Sequence, residues 1–342
     1  MYPFATIKEY QQHLFDGTTS CKQAVDFYLS QIKQFEHLNA LVHVFAQEAM
    51  QRANELDESR AAGKPTGKLH GVVVTIKDVI AWQQHPLSAA SNILKGFHSI
   101  YNSTAVQKLL AEDAIIIGTN NCDEFAMGSS NENSAYGPVK NKLDETRVPG
   151  GSSGGSAVAV QADLCMISLG SDTGGSVRQP ADFCGIVGMK PSYGRVSRHG
   201  LIAYGSSFDQ IGVLANSVED AELVLSVIAG ADEFDSTVSS LPVPDYAAAI
   251  NQPSSTKPVL GYFKQTLEHE GLDEEIRSTH KNFINQLKED GYEVKELDFD
   301  LIDYIVPTYY VLTTAEASSN LSRYEGVRYG HQSVPLKEEL TE

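Results

Sequence analysis

Three short apolar runs in the first half of the chain restrict the fold more than any other feature. They cover residues 72–76, 114–118 and 164–169, and a shorter run follows at 213–215. Each run is continuous rather than alternating, and each is short for a helix, which favours strands buried on both faces. A helical pattern over residues 106–112 separates the first two runs. The alternation of helices and apolar strands therefore predicts an α/β fold with a layered sheet.

The length of 342 residues allows two domains or one large α/β domain, and we expect one domain over residues 1–342 with three parts. A helical segment covers 1–65, a core that is the candidate catalytic part covers 66–232, and a peripheral α/β part covers 233–342. We expect helices to begin at a capping box, Thr6-Ile7-Lys8-Glu9, and at the cap residue Ser20, and a polar helix over residues 47–61. The peripheral part is predicted to contain a loop, a strand, an amphipathic helix, a strand and a helix, at 233–258, 259–263, 273–290, 292–297 and 308–330.

The net charge and the positions of the cysteines indicate which partners the protein can bind and in which compartment it lies. The net charge of −18 disfavours direct nucleic-acid binding as the main activity, because phosphate contacts need clustered Lys and Arg. The four cysteines show no CxxC pairing and lie in apolar stretches, which indicates reduced core residues in a cytoplasmic protein without a metal site. The N-terminus lacks the basic and apolar regions of a signal peptide, and no apolar run reaches about 18 residues, so no membrane association is expected.

The densest candidate for chemistry is the Gly/Ser run over residues 149–156. A flexible linker is one interpretation, but apolar segments flank the run closely. A phosphate-binding loop is a second, but no GxxxxGK[ST] pattern follows a strand. The run also matches G-x-S-x-G with Ser153 as the nucleophile and His199 as a downstream base, although Pro149 fits poorly in the strand that this elbow needs.

A second Gly/Ser element covers residues 172–178, and Lys77 ends the first apolar run. Two glycines before Ser176 allow successive N–H groups to point into one concavity, as an oxyanion site requires, although a plain turn has the same composition. Lys77 could simply extend to solvent. In a dry site, however, desolvation would make it a neutral base that activates a serine. Two serine loops and one lysine thus form a chemically coherent relay.

These segments together resemble the amidase signature family. Lys77 and Ser152 are 75 positions apart, and Ser152 and Ser176 are 24 apart, as in that family. The flanking segments 185–191 and 209–212 also match it. The resemblance implies a mixed β-sheet core flanked by helices on both faces. It also implies that Ser176 forms the acyl-enzyme and that Ser152, in a cis peptide, connects Ser176 to Lys77. The N–H groups that would form the oxyanion hole belong to Thr173, Gly174, Gly175 and Ser176.

Two further stretches, 125–138 and 309–330, are similar to the glutaminase (A) subunits of glutamyl-tRNA(Gln) and aspartyl-tRNA(Asn) amidotransferases. This similarity implies hydrolysis of L-glutamine and transfer of the ammonia to a B subunit, which uses ATP and magnesium, with a small C subunit completing a heterotrimer. No cofactor is expected in this chain, and tRNA is reached mainly through the partner. The residues implied to line the glutamine pocket are Met127, Gly128, Ser129, Tyr309 and Tyr310.

The chain departs from this family in two places. Asn141-Lys142-Leu143 replaces the usual Asn-Pro-Trp, and family members continue well beyond Glu342. The resemblance therefore implies that a C-terminal part of the fold is missing, including charged residues that hold the glutamine carboxylate and amine. Two other functions stay open: a stand-alone amidase for small amides, and an inactive truncated scaffold of the same fold.

Overall fold

A computed structural model describes residues 4–251, 257–328 and 330 of the chain. The described helices are α1 Ile7–Phe15, α2 Cys21–Gln34, α3 Ala46–Ala61, α4 Thr104–Ala111, α5 Gly154–Gln161, α6 Arg178–Phe183, α7 Val218–Ile228, α8 Tyr246–Asn251, α9 Lys264–Glu268, α10 Glu274–Glu289 and α11 Ile302–Leu321. The strands are β1 Leu41–Val44, β2 Val73–Lys77, β3 Ile115–Asn120, β4 Ile167–Asp172, β5 Val187–Met189, β6 Gln210–Ala215, β7 Leu260–Phe263 and β8 Val294–Leu297.

The chain divides into two compact units. One contains residues up to 247 together with those from 316 onward, and the other contains residues 248–315. In the second unit, the parallel strands β7 and β8 form a two-stranded sheet, and α10 connects them. The division into three parts of a single domain stays a prediction.

The first unit is built on a mixed sheet with the strand order β1-β3-β2-β4-β6-β5. Strand β2 lies between β3 and β4 and runs parallel to both, whereas β1, β5 and β6 join by antiparallel pairs. All residues of β2, β3, β4 and β6 are buried. This arrangement confirms the predicted α/β layers, and it explains why the strand sequences are continuously apolar.

Local sequence signals fix several helix starts. The Thr6 side chain accepts a hydrogen bond from the Glu9 N–H, as the predicted capping box requires, whereas the Glu9 carboxylate accepts its bond from the Ala5 N–H rather than from that of Thr6. Ser20 caps α2 in the same way, through the Gln23 N–H. Within the described residues, no helix is long and apolar enough to cross a membrane.

Several element boundaries differ from the sequence prediction. Strand β4 begins at Ile167 rather than at Leu164, since the first residues of that apolar run are buried in the connection from α5. Helix α11 begins at Ile302 and ends at Leu321, earlier at both ends than the predicted 308–330, and it includes Pro307. Residue 329 of that predicted helix lies outside the described residues.

Candidate active site

The carboxyl ends of the three parallel strands meet at one edge of the sheet. Lys77 ends β2, Asn120 ends β3 and Asp172 ends β4. Strand β6 runs the other way, so its first residue, Gln210, pairs with Asp172 and brings Asp209 to the same edge. Ligands of open α/β sheets commonly bind at this edge, because the loops there converge.

Lys77 lies within this edge, and its side chain is 0% exposed. Its ammonium or amine nitrogen is 2.7 Å from Ser152 Oγ, 2.9 Å from Ser171 Oγ and 3.0 Å from Ser153 Oγ. The interpretation that Lys77 extends to solvent is therefore wrong. Three hydroxyl groups satisfy the nitrogen, and no carboxylate among the described residues forms an ion pair with it.

The electrostatics of this position favour a neutral amine. Burial lowers the pKa of Lys77 from 10.5 to about 8, and the nearby acidic groups of Cys122, Asp123, Asp172 and Asp209 only partly oppose the effect. A lysine with a pKa near 8 is partly deprotonated at neutral pH and can accept a proton from a serine.

The Gly/Ser run forms an ordered, buried loop in front of α5. The peptide bond between Gly151 and Ser152 is cis, and Ser152 is 0% exposed. The Asp123 N–H donates to the Ser152 carbonyl oxygen at 3.3 Å, and the Gly151 N–H donates to Gln179 Oε1 at 2.9 Å. The linker interpretation is therefore wrong, because bonds from two other segments hold the loop.

Ser153 lacks the surroundings of a nucleophile elbow. No strand precedes it, and its buried hydroxyl donates to the Ser171 carbonyl at 3.1 Å and accepts from the Ser171 N–H at 3.3 Å. The ring of His199 stacks between Tyr101 and Phe234, with centroid distances of 4.9 and 4.2 Å. The structure thus gives no support to a Ser153–His199 pair.

Ser176 lies in the turn between β4 and α6 and is more accessible than the three serines that contact Lys77. Its exposed fraction is 9%, compared with 0% for Ser152 and Ser153. The Ser153 N–H donates to the Ser176 carbonyl oxygen at 3.2 Å, which packs the two serine-bearing loops together. A substrate can therefore reach Ser176 more readily than the serines bonded to Lys77.

Asp172 shapes the turn that carries Ser176. Its carboxylate accepts two hydrogen bonds of 3.0 Å from the Arg178 guanidinium, and others from the N–H groups of Gly175 (2.9 Å) and Val177 (3.1 Å). Burial alone would raise the pKa of Asp172, but Arg178 and these N–H groups hold it below its usual value. The turn is thus organised around a buried carboxylate.

This arrangement departs from one sequence-based expectation. The Gly175 N–H points to Asp172 Oδ1 rather than into an open oxyanion site, because the Asp172 side chain folds back over the turn. The φ angle of Gly175 is 127°, which explains the glycine at this position. Within the described residues, the N–H groups of Thr173, Gly174 and Ser176 form no comparable bond.

The residues implied to bind substrate lie in two places. Ser129 is next to the site, since its carbonyl oxygen accepts a 2.9 Å hydrogen bond from Gln179, the side chain that also holds Gly151. Met127 is half-buried and Gly128 is exposed. Tyr309 and Tyr310 lie on α11 in the other unit, so their part in a glutamine pocket stays a prediction.

Three polar side chains at this site were not predicted from the sequence: Asp123, Ser171 and Gln179. The first two lie at or just beyond the carboxyl ends of parallel strands, and this position is itself a signal that could have identified them. In the part of the chain that the structure describes, no three His, Cys, Asp or Glu side chains are grouped to hold a metal ion.

Comparisons with known proteins point to one family. The Amidase family model matches residues 23–341. The A subunit of the glutamyl-tRNA(Gln) amidotransferase of Chlorobaculum tepidum is 50% identical over 330 residues, which are 96% of this chain and 68% of that protein. The same-named protein of Chlorobium limicola is 48% identical, over 98% of this chain and 71% of its own length.

Solved structures show the same fold. The A subunit of the glutamyl-tRNA(Gln) amidotransferase of Thermotoga maritima is 36% identical with a TM-score of 0.77, and the match covers 94% of this chain and 65% of that one. The peptide amidase of Stenotrophomonas maltophilia is 29% identical with a TM-score of 0.86, and the match covers 96% and 69%. The mixed sheet flanked by helices is thus common to amidases with different named substrates.

Proposed function

The chain belongs to the amidase family, and from this we propose that it hydrolyses the side-chain amide of L-glutamine as the amidase component of a glutamyl-tRNA(Gln) amidotransferase. The observation that carries the proposal is the 2.7 Å hydrogen bond between buried Lys77 and Ser152, in a loop packed against the one that presents Ser176. The relatives at 48–50% identity are named as A subunits of glutamyl-tRNA(Gln) amidotransferases, which supports an amidotransferase component.

The proposed reaction passes through an acyl-enzyme. Ser176 Oγ attacks the side-chain amide carbon of glutamine, its proton passes to Ser152 Oγ, and the proton of Ser152 passes to the neutral Lys77 amine. When the tetrahedral intermediate collapses, the C–N bond breaks and the proton returns through Ser152 to the leaving nitrogen, which departs as ammonia. Water then adds by the same proton route and cleaves the ester, giving glutamate and free Ser176.

The developing oxyanion would be stabilised by backbone N–H groups of the 173–176 turn. Those of Thr173, Gly174 and Ser176 are the candidates with no bond to Asp172. For Gly175 to contribute, its 2.9 Å hydrogen bond to Asp172 has to open. Loss of one such donor typically costs about 10²- to 10³-fold in rate.

The partners follow from the same proposal. The B and C subunits of the amidotransferase would form a heterotrimer with this chain, and ATP and magnesium would be used by the B subunit, with no cofactor in this chain. The acceptor would be Glu-tRNA(Gln), with Asp-tRNA(Asn) as a second acceptor, reached mainly through the partner in the cytoplasm. These partners and acceptors are tested by reconstituting the heterotrimer and measuring the amount of amidated tRNA.

The nucleophile is tested with a fluorophosphonate probe and intact-mass measurement. We expect the probe to add once to the wild-type chain and not to Ser176→Ala. Ser226→Ala, on α7, is the matched control and should be labelled like the wild type. Labelling that persists in Ser176→Ala and maps to Ser153 would contradict the proposed mechanism and favour the elbow.

A stand-alone amidase is the second candidate function. It is favoured by the higher TM-score of the peptide amidase, 0.86 compared with 0.77 for the amidotransferase protein. The two functions differ in their dependence on partners. Glutamine hydrolysis that rises on adding the B and C subunits supports the first, whereas rapid turnover of small amides without any effect of partners supports the second.

A further inference from the structure

Asp123 is a buried carboxylate that the proposed mechanism does not use. It lies three residues beyond the end of β3, next to the segment that carries Ser152, and it is 0% exposed. A buried carboxylate is costly unless its oxygens are satisfied. Its partners therefore indicate what this position does.

The carboxylate holds the loop at residues 127–133. One oxygen, Oδ2, accepts a 3.0 Å hydrogen bond from the Asn131 N–H, and the other, Oδ1, accepts a 3.3 Å bond from the Asn133 N–H. Asn131 in turn accepts a 2.9 Å bond from the Gly155 N–H at the start of α5. The loop that includes the candidate substrate residues is thus anchored through Asp123.

The same residue packs against the Ser152 loop. Its N–H donates to the Ser152 carbonyl oxygen at 3.3 Å. A Cβ atom added to Gly151 would overlap Asp123 Oδ2, and one added to Gly128 would overlap Asp123 Cγ. Asp123 therefore fills the space between the Gly151–Ser152 peptide and the 127–133 loop, and both neighbours have to be glycine.

The charge of Asp123 also acts on Lys77. The acidic groups that raise the pKa of Lys77 belong to Cys122, Asp123, Asp172 and Asp209. Burial raises the thiol pKa of Cys122 and keeps it neutral.

The other two carboxylates have arginines nearby. Asp172 is paired with Arg178, and Asp209 feels the charge of Arg198 and accepts hydrogen bonds from Thr173, Tyr204 and Gly205. The cation whose charge acts on Asp123 is Lys77 itself.

We propose that Asp123 is a positioning residue that sets Ser152 against Lys77 and couples this pair to the 127–133 loop. The inference rests on the proposed amide hydrolysis and extends it, since it makes the placement of the substrate loop and the activation of the base depend on one side chain. A substrate that orders the loop would act on Asp123 and, through it, on the Lys77–Ser152 bond.

Two substitutions change the charge and the placement of Asp123 to different extents. Asp123→Asn keeps the size but removes the charge, and it leaves one oxygen in place of the two that accept the N–H groups of Asn131 and Asn133. The loss of charge should lower the pKa of Lys77 further, by about one unit. Asp123→Glu keeps the charge but lengthens a side chain that has no free space, so placement is disturbed. We expect Asp123→Glu to slow Ser176 labelling by roughly 10- to 100-fold without a downward shift of the Lys77 pKa.

The experiment measures the rate of fluorophosphonate labelling of the full chain from pH 6 to 10. The wild-type rate should rise with pH through about 8, the pKa of Lys77, because the protonated amine cannot accept a proton. In Asp123→Asn this rise should move about one unit lower. Asp163→Asn, near the amino end of β4 at the opposite edge, removes the same charge and should leave the profile unchanged.

A second measurement does not depend on activity. Protein labelled with ¹³C at lysine Cε is titrated by NMR, and the Lys77 signal is assigned by its absence in Lys77→Met. A Lys77 pKa that is equal in the wild type and in folded Asp123→Asn overturns the proposal, as does unchanged labelling by Asp123→Glu. If the wild type is not labelled at Ser176 but the Lys77 signal moves in Asp123→Asn, the amidase mechanism fails and the link between Asp123 and Lys77 stands.

Discussion

A single buried lysine makes the stability of this protein depend on pH in an unusual direction. Burial lowers the pKa of Lys77 to about 8 in the folded state, compared with 10.5 when it is exposed. Between these values the unfolded chain binds more protons than the folded one, so Lys77 lowers the stability below pH 8, and this penalty disappears as the pH rises to 10.5. The lysine is thus retained at a cost to stability, in the way that active sites often require.

Lys77→Met tests this linkage. At one pKa unit per 1.36 kcal/mol, the free energy of unfolding of the variant should fall by about 2 kcal/mol relative to the wild type between pH 7 and 9.5. The variant also loses the hydrogen bonds to three serines, about 1 kcal/mol each. This loss adds a constant to the difference in the free energy of unfolding and does not change with pH. Urea unfolding at the two pH values provides the measurement, and a difference that stays constant with pH would contradict the shifted pKa.

At the scale of elements, helix α5 shows how packing overrides intrinsic propensity. Gly155 lies in its first turn, where replacement by Ala would normally stabilise a helix by about 1 kcal/mol. Here an added Cβ would overlap the Asn121 carbonyl oxygen and lie 2.6 Å from the Ala40 oxygen and 2.8 Å from the Asn121 nitrogen. All three are backbone atoms, which cannot rotate away.

We therefore expect Gly155→Ala to destabilise the protein by about 2 kcal/mol, in the middle of the range for overpacked cores. Gln51→Ala, at an exposed position of α3, is the matched control and should change stability by no more than about 0.5 kcal/mol. The measurement is the midpoint of urea unfolding of the wild type and of the two variants. An alanine variant at least as stable as the wild type would show that propensity prevails at this helix.

The degree of burial explains which elements could be predicted from the sequence. Strands β2 and β3 fall within or beside the apolar runs, because central strands of a sheet are buried on both faces. Strands β1 and β5 were missed, since they lie at the edges of the sheet, are only partly buried and leave no such run. The helical pattern of α7 was overlooked, although Ser217 caps it.

Some residues of the candidate site could also be predicted from the sequence, and others could not. Lys77, Ser152 and Ser176 lie in distinctive local sequences, so their spacing could be recognised without coordinates. Asp123 and Ser171 have ordinary neighbours, and their roles arise only where parallel strands bring distant loops together. The engagement of the Gly175 N–H by Asp172 likewise depends on a side-chain direction that a turn sequence does not specify.

For the whole molecule, charge limits how an enzyme of this kind could act on tRNA. The net charge of −18 opposes binding to a phosphate backbone, which requires clustered cations. Arg178 and Arg198, two cations near the site, are already engaged by Asp172 and Asp235. If the product ammonia serves tRNA amidation, the basic surface has to belong to a partner protein.

We therefore expect that the purified chain does not bind tRNA at about 150 mM salt, whereas the complex with the B and C subunits binds it. Fluorescence anisotropy of labelled tRNA, measured from about 50 to 200 mM salt, separates the cases, because binding through phosphates weakens steeply over this range. The complex should show that dependence and the chain alone a flat baseline. Salt-sensitive binding by the chain alone would mean that cations of this chain form a tRNA surface, and it would place recognition of tRNA in this chain rather than in its partner.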